Sequence, residues 1–175
     1  MSRIEEIAEQ VAKHKTPPVH LWTPKHTGEI DIYIDAQGRW FHEGEVITRD
    51  ALVSLFASIL WAEADDHYLV TPVEKLKIQV EDVPFVVRQA ECVEGRWVVT
   101  TNVNEQIIVN QGNPIELRDY MGQWLPYLNV RYHLWARVSR SVYYQWVTDA
   151  LDGSHSEYDS LRLGSDDYIF DVAKM

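Results

Sequence analysis

The sequence predicts an α+β protein with a duplicated strands-then-helix core in two small lobes. Three patterns lead there. Apolar and polar residues alternate strictly at Ile30–Asp35 and again at Lys75–Val80, the period of a half-buried strand. Leu52, Leu55, Phe56, Ile59 and Leu60 make a wide apolar stripe at helical spacing. From Phe85 onward strand patterns dominate until a second helical stripe closes at Gly153. The two halves echo one another in sequence. Gly38-Arg39-Trp40 returns as Gly95-Arg96-Trp97, each after a turn, and Ile47-Thr48-Arg49 opens the first long helix as Val138-Ser139-Arg140 opens the second.

Taken in order, Ile4, Ile7, Ala8 and Val11 form one stripe on a short helix within residues 1–16, expected as a lid or brace and stopped by Pro17-Pro18. The N-terminal lobe spans 17–82. It opens on an irregular connector, His20 to Gly28, and continues with a strand that points Ile30, Ile32 and Ile34 one way and Asp31, Tyr33 and Asp35 the other. Asp35-Ala36-Gln37-Gly38 turns this strand back through Arg39–His42 as a hairpin. Thr48 is the expected cap of the first long helix, and Asp65-Asp66 its end. Tyr68–Val70 and Leu76–Val80 follow as strands. The C-terminal lobe, 83–152, carries strands at 85–92, 97–101, 106–110, 114–118 and 127–138. Its helix runs from about Ser139 to Leu151, with Tyr143, Trp146, Val147 and Ala150 inward. Residues 153–175 form an acidic tail with a last strand at Tyr168-Ile169-Phe170.

A chain of 175 residues can bury a core without staples, and 46% hydrophobic with 25% charged residues is a globular composition. One cysteine, Cys92, makes neither an internal disulfide nor a thiolate-rich metal site, and its acidic neighbours Glu91 and Glu94 disfavour a reactive thiolate. Met1–Glu6 lacks an apolar signal core, so a cytoplasmic protein is expected. The net charge of −11 argues against duplex nucleic acid or an anionic membrane as partner. Residues 83–140 are the exception, with 6 basic and 5 acidic side chains, so a small anion meets least repulsion there.

Common catalytic signatures are missing. There is no Gly-x-Ser-x-Gly elbow, no phosphate loop, no Gly-x-Gly-x-x-Gly turn and no His-Glu-x-x-His. Asp31 and Asp35 would lie about 13 Å apart along one strand, too far for a retaining glycosidase pair. Glu63, Asp65, Asp66 and His67 read as a polar turn rather than a calcium loop. No cofactor or metal is expected.

The strongest binding pattern is 128–138 read as a single strand. Leu128, Val130, Tyr132, Leu134 and Ala136 would share one face, and Asn129, Arg131, His133, Trp135 and Arg137 the other, with Arg140 following at a helix start. Guanidinium forks suit phosphate and flat rings suit a base, so this face fits an anionic aromatic ligand. The alternative is a solvated sheet face with arginine stems packed on Trp135. Lys75, in Thr71-Pro72-Val73-Glu74-Lys75, is a further phosphate contact, though a surface ion pair is its ordinary role. Seven tryptophans are mostly core filler; Trp22 and Trp40, near turns, are the two expected to line a groove.

Several of these segments resemble a known family. Gly28-Glu29-Ile30-Asp31-Ile32, Gly38-Arg39-Trp40, Tyr68-Leu69-Val70-Thr71-Pro72-Val73-Glu74-Lys75 and Val80-Glu81-Asp82-Val83-Pro84-Phe85 resemble the domain of unknown function 1285 family. So do Pro126-Tyr127-Leu128-Asn129-Val130-Arg131 and Arg140-Ser141-Val142-Tyr143-Tyr144. The resemblance covers about residues 17–150. It implies a bacterial protein of no established activity, with a duplicated core and a pleckstrin-homology-like C-terminal lobe. It also implies a nucleotide-like ligand between the lobes and a signalling role. The ending Ser165-Asp166-Asp167-Tyr168 departs from the glycine-containing end of relatives.

Together these readings give a non-enzymatic protein that binds a small anionic, nucleotide-like ligand in a groove between the lobes. Arg131, His133, Trp135, Arg137, Arg140, Lys75, Trp22 and Trp40 are its candidate contacts. The competing reading is a protein-interaction or self-association module without a small ligand.

Overall fold

In each half of the chain a six-stranded sheet is built around one parallel strand pair. The computed structural model describes residues 3–12, 17–153 and 159–174, and the chain divides into two units, Met1–Pro84 and Phe85–Met175. The first holds α1 (Arg3–Ala12), a 3₁₀ turn (Val19–Leu21), β1 (His26–Ile34), β2 (Trp40–His42), β3 (Glu45–Val46), α2 (Asp50–Ala57), β4 (Leu60–Glu63), β5 (Asp66–Val70) and β6 (Glu74–Val80). The second holds β7 (Phe85–Val93), β8 (Arg96–Thr101), β9 (Gln106–Ile108), β10 (Ile115–Tyr120), β11 (Gln123–Arg131), β12 (Leu134–Val138), α3 (Arg140–Asp152), β13 (Ser160–Ser165) and β14 (Tyr168–Lys174).

The first sheet runs β3-β2-β1-β6-β5-β4 and the second, read in the same sense, β9-β8-β7-β12-β11-β10. Both therefore follow the order third, second, first, sixth, fifth, fourth. In each, the first and sixth strands pair in parallel and all other neighbours are antiparallel. The duplication is thus a property of the strands. The helices enter at different points: α2 joins the third and fourth strands of its unit, whereas α3 follows the sixth.

The Gly-Arg-Trp echo marks equivalent places. Gly38 and Gly95 sit at φ 80° and 82°, where a β-carbon would be strained, and each introduces the second strand of its sheet. Trp40 and Trp97 are both buried. The ring of Trp40 lies 6.3 Å from Phe56 on α2, and that of Trp97 lies 5.8 Å from Trp146 on α3. Each tryptophan meets the helix of its own unit, although the two helices come from different places in the chain. In the first hairpin the buried Asp35 carboxylate accepts from the backbone N–H of Gln37 and Arg39 and from Arg39 Nε, at 3.0, 2.8 and 2.7 Å. An aspartate that satisfies a turn's own donors fixes that turn.

Several expectations are corrected. α2 is capped by Arg49 without a side-chain bond, not by Thr48, and stops at Ala57. The apolar run that continued the helical stripe becomes β4, whose Leu60 and Ala62 are buried while Trp61 and Glu63 point away from the core. Pairing with β5 overrides the helical spacing, which Ile59, Leu60 and Trp61 favour only weakly. The brace α1 is anchored in the core: Ile7 is fully buried and Arg3 is paired with Glu74. α3 buries Val142, Trp146 and Ala150, with Tyr143 only half-buried. The acidic tail carries a complete hairpin, β13–β14, in place of a single strand. Leu161, Leu163, Phe170, Val172 and Ala173 of this hairpin are buried, and the Phe170 ring lies 5.2 Å from Trp146. No helix among the described residues is long and apolar enough to cross a membrane.

Candidate functional site

The segment 127–138 is a hairpin, not one strand. β11 ends at Arg131, Tyr132 turns at φ 49°, and β12 begins at Leu134. Directly opposed residues share a face, so the pairs Tyr127↔Arg137 and Asn129↔Trp135 define one side of the sheet, and Leu128↔Ala136 the other. A register shift between Asn129 and Arg131 then sets Arg131 opposite Leu134, on the side of Leu128 and Ala136. Arg131 is therefore turned away from Trp135 and Arg137. An alternation count across the turn could not show this, because a turn and a bulge each reset the phase.

Both strand arginines are engaged inside the C-terminal unit. Arg131 Nη1 donates to both oxygens of Glu105, at 2.8 and 2.9 Å, with its guanidinium 5.5 Å from the Phe85 ring. Arg137 is only 5% exposed and lies 4.1 Å from the centroid of Tyr120. Trp135 carries the guanidinium of Arg118 at 4.2 Å. His133 is exposed in the turn, and Arg140 is exposed in the first turn of α3. The five residues do not converge. Trp40 is likewise closed off, 1% exposed beneath α2.

Lys75 and Trp22, in contrast, meet. They line a cleft of about 330 Å³ with Val19, His20, Trp61 and Glu63, wholly within the N-terminal unit. The fold brings them together in two steps. Trp22 follows the 3₁₀ turn set by Pro17-Pro18. Trp61 and Glu63 alternate outward on β4, and the registers Trp61↔Tyr68 and Val70↔Lys75 carry that face across β5 to β6. Glu63 Oε1 accepts from Lys75 Nζ at 2.6 Å and from Trp61 Nε1 at 3.1 Å. The Lys75 ammonium also lies 4.4 Å from the Tyr68 centroid. The hydrogen bond from Lys75 holds the Glu63 carboxyl below its ordinary range, with Trp61 adding to the effect. Sequence reasoning missed Trp61 and Glu63 because it carried the helical stripe into this segment and read Glu63 as part of the polar turn that follows. The signal was the outward pair Trp61/Glu63 between buried Leu60 and Ala62, which is strand period.

The acidic turn after β4 resolves into ion pairs. Glu63 goes to Lys75, and Asp66 to Lys77 at 3.4 Å. Among the described residues no three His, Cys, Asp or Glu side chains are placed to hold a metal ion. Cys92 is a free, exposed thiol.

Two six-stranded sheets of identical strand order, in two successive units, define a duplicated α+β protein. The family models bear on it directly. The DUF1285 N-terminal domain, a domain of unknown function, matches residues 17–83, and the DUF1285 C-terminal domain matches residues 84–172. The chain belongs to the DUF1285 family. It is similar to the crystal structure of a DUF1285 family protein from Silicibacter pomeroyi DSS-3, with 34% identity and a TM-score of 0.89 over 100% of this chain and 97% of that one. A DUF1285 family protein from Shewanella baltica OS155 is similar at 29% identity and a TM-score of 0.57, over 67% of this chain and 91% of the other. No curated protein matches the sequence.

Proposed function

We propose that this protein is a ligand-binding regulatory protein rather than an enzyme, and that its N-terminal unit takes a small, flat, nucleotide-like ligand. The observation that carries the reading is the meeting of Trp22, Trp61, Glu63 and Lys75 in one cleft of about 330 Å³, at the lower end of the size of small-molecule sites. Indole rings give a base a stacking surface. The Lys75–Glu63 pair offers a donor and an acceptor side by side, which suits the mixed edge of a heteroaromatic ring. An anionic group on the ligand competes with Glu63 for the Lys75 ammonium. Arg131 and Arg137 belong to the internal architecture of the C-terminal unit in this reading. That unit is taken as pleckstrin-homology-like, an antiparallel-rich sheet with α3 following its sixth strand, and the signalling role and cytoplasmic setting belong to the same proposal.

The test is a melting-temperature panel of nucleosides and their mono-, di- and triphosphates, backed by tryptophan fluorescence. A ligand at a hundredfold its dissociation constant stabilises the native state by about 2.7 kcal/mol. Trp22→Ala is expected to weaken every ligand that binds. Lys75→Gln is expected to weaken the phosphorylated ones selectively. A panel without any shift at millimolar ligand removes the proposal.

A further inference from the structure

The Glu63 carboxylate borders the N-terminal cleft with only one of its two oxygens in use. Both of its hydrogen bonds end on Oε1: Lys75 Nζ donates from β6 at 2.6 Å, and Trp61 Nε1 from two residues back on β4 at 3.1 Å. Oε2 accepts from no other group among the described residues. An ionised carboxylate has about four acceptor sites over its two oxygens, so those at Oε2 stay open. The bond from Lys75 keeps the carboxyl below its ordinary range, hence ionised and an acceptor only at neutral pH. The side chain is 52% exposed, so a ligand in the cleft reaches Oε2 without displacing a buried group.

The orientation of this carboxylate is set from two sides. Trp61 and Glu63 share the outward face of β4. Lys75 comes from β6, and its ammonium also lies 4.4 Å from the centroid of Tyr68 on the intervening β5. A carboxylate already held at one oxygen by donors from two strands loses little freedom when a ligand meets the other. Charge narrows the ligand. A ligand cation at Glu63 would lie against the Lys75 ammonium, and like charges placed together cost affinity, so neutral N–H donors fit better. The indoles of Trp22 and Trp61 border the same cleft and suit a flat ring that carries those donors in its own plane. Among the common bases only guanine sets two N–H donors side by side, a ring N–H beside an amino group. Adenine and cytosine set a ring lone pair beside the amino group, which a carboxylate repels, and uracil has a single N–H between two carbonyls.

We propose that the cleft selects a 2-amino-4-oxopyrimidine edge, the edge that guanine and pterins share, by taking its adjacent ring N–H and amino N–H on the open side of Glu63. The inference rests on the reading of this cleft as a nucleotide-like site and adds which ring it takes. Glu63 is the residue that sets specificity, and the two indoles accept any flat ring.

Calorimetric titration of the full chain compares the 5′-monophosphates of guanosine, inosine, 2-aminopurine riboside and adenosine, with pterin as a second carrier of the same edge. Inosine lacks the amino group and 2-aminopurine lacks the ring N–H, so each removes one donor from a similar ring. The guanosine compound is expected to bind about tenfold tighter than either, the worth of one hydrogen bond to a half-exposed charged group. It is expected to exceed the adenosine compound by more. Both orders of guanosine and pterin uphold the edge: pterin tighter makes the source a pterin, guanosine tighter a nucleotide. In Glu63→Gln the amide oxygen takes the place of Oε1, because Lys75 and Trp61 both donate, and an NH₂ donor stands at Oε2. This variant is expected to bring guanosine level with or below adenosine without weakening adenosine, whereas a merely structural Glu63 would weaken both alike. If Glu63→Gln proves unstable, the series on the unmodified protein still decides. Equal binding of the guanosine and inosine compounds, or tighter binding of the adenosine one, overturns the choice of ring and leaves the cleft reading standing. No binding of any of the five at millimolar ligand overturns both.

Discussion

Trp146 offers a sharp test of how the C-terminal unit holds together. It is fully buried on α3, with Trp97 of β8 on one side at 5.8 Å and Phe170 of β14 on the other at 5.2 Å. Its Nε1 is also buried and meets no acceptor among the described residues. Trp146→Phe therefore sets two effects against each other. Losing roughly 60 Å² of a buried indole costs about 1.5 kcal/mol at about 25 cal/mol per Å², and the void left behind adds about 1 kcal/mol. Removing a buried donor that has no acceptor returns about 1–3 kcal/mol. The two nearly cancel, so Trp146→Phe is expected to change stability by no more than about 1.5 kcal/mol, while Trp146→Ala, which removes the same donor but leaves a far larger void, costs about 3–5 kcal/mol. Urea titrations followed by near-ultraviolet circular dichroism measure both, with an unchanged slope confirming comparable unfolding. A Trp146→Phe variant nearly as unstable as Trp146→Ala would refute the reasoning, because it would show Nε1 hydrogen-bonded in solution.

Two further outcomes follow from ionised groups. Arg131 and Glu105, with side chains 28% and 39% exposed, are expected to couple by about 1 kcal/mol, between a surface pair and a buried charged bond. A double-mutant cycle of Arg131→Ala and Glu105→Gln reads that coupling, and a value of zero would show that the pair does not hold Arg131 in place. Burial lowers the pKa of His67 from its usual range, against the raising effect of Asp66 and Asp65. The unfolded chain then takes up a proton before the folded one does. The folded state's advantage is therefore complete above about pH 6.5 and falls as pH drops through and below that value. His67→Gln is expected to flatten this loss between pH 7.5 and 5.5 in urea midpoints, and an unchanged pH slope would count against it.

What the sequence carried on its own was local. Alternation located β1, β6 and most of the C-terminal strands, since a strand with one buried face must alternate. The helix before Gly153 was legible from its stripe and from a start near Ser139, and the structure makes Ser139 its cap, with Oγ accepting from the Val142 N–H. The repeated Gly-Arg-Trp marked equivalent second strands, because a glycine at positive φ and a core tryptophan are demands of the backbone and of packing at those points. The N-terminal cleft was half legible, through Trp22 and Lys75.

Everything that depends on which strand pairs with which was decided by the tertiary structure. Ile59-Leu60-Trp61 satisfies a helix as well as a strand, and only β5 alongside makes it β4, placing Trp61 and Glu63 beside Lys75. Arg131 and Arg137 share a parity in the sequence and lie on opposite sides of the sheet, because the turn at Tyr132 and the shift after Asn129 are properties of the pairing. The shared strand order of the two units, with the helix inserted at different points, is likewise set by long-range ladders. Local pattern states which face a residue prefers; only the partner strand states where that face looks.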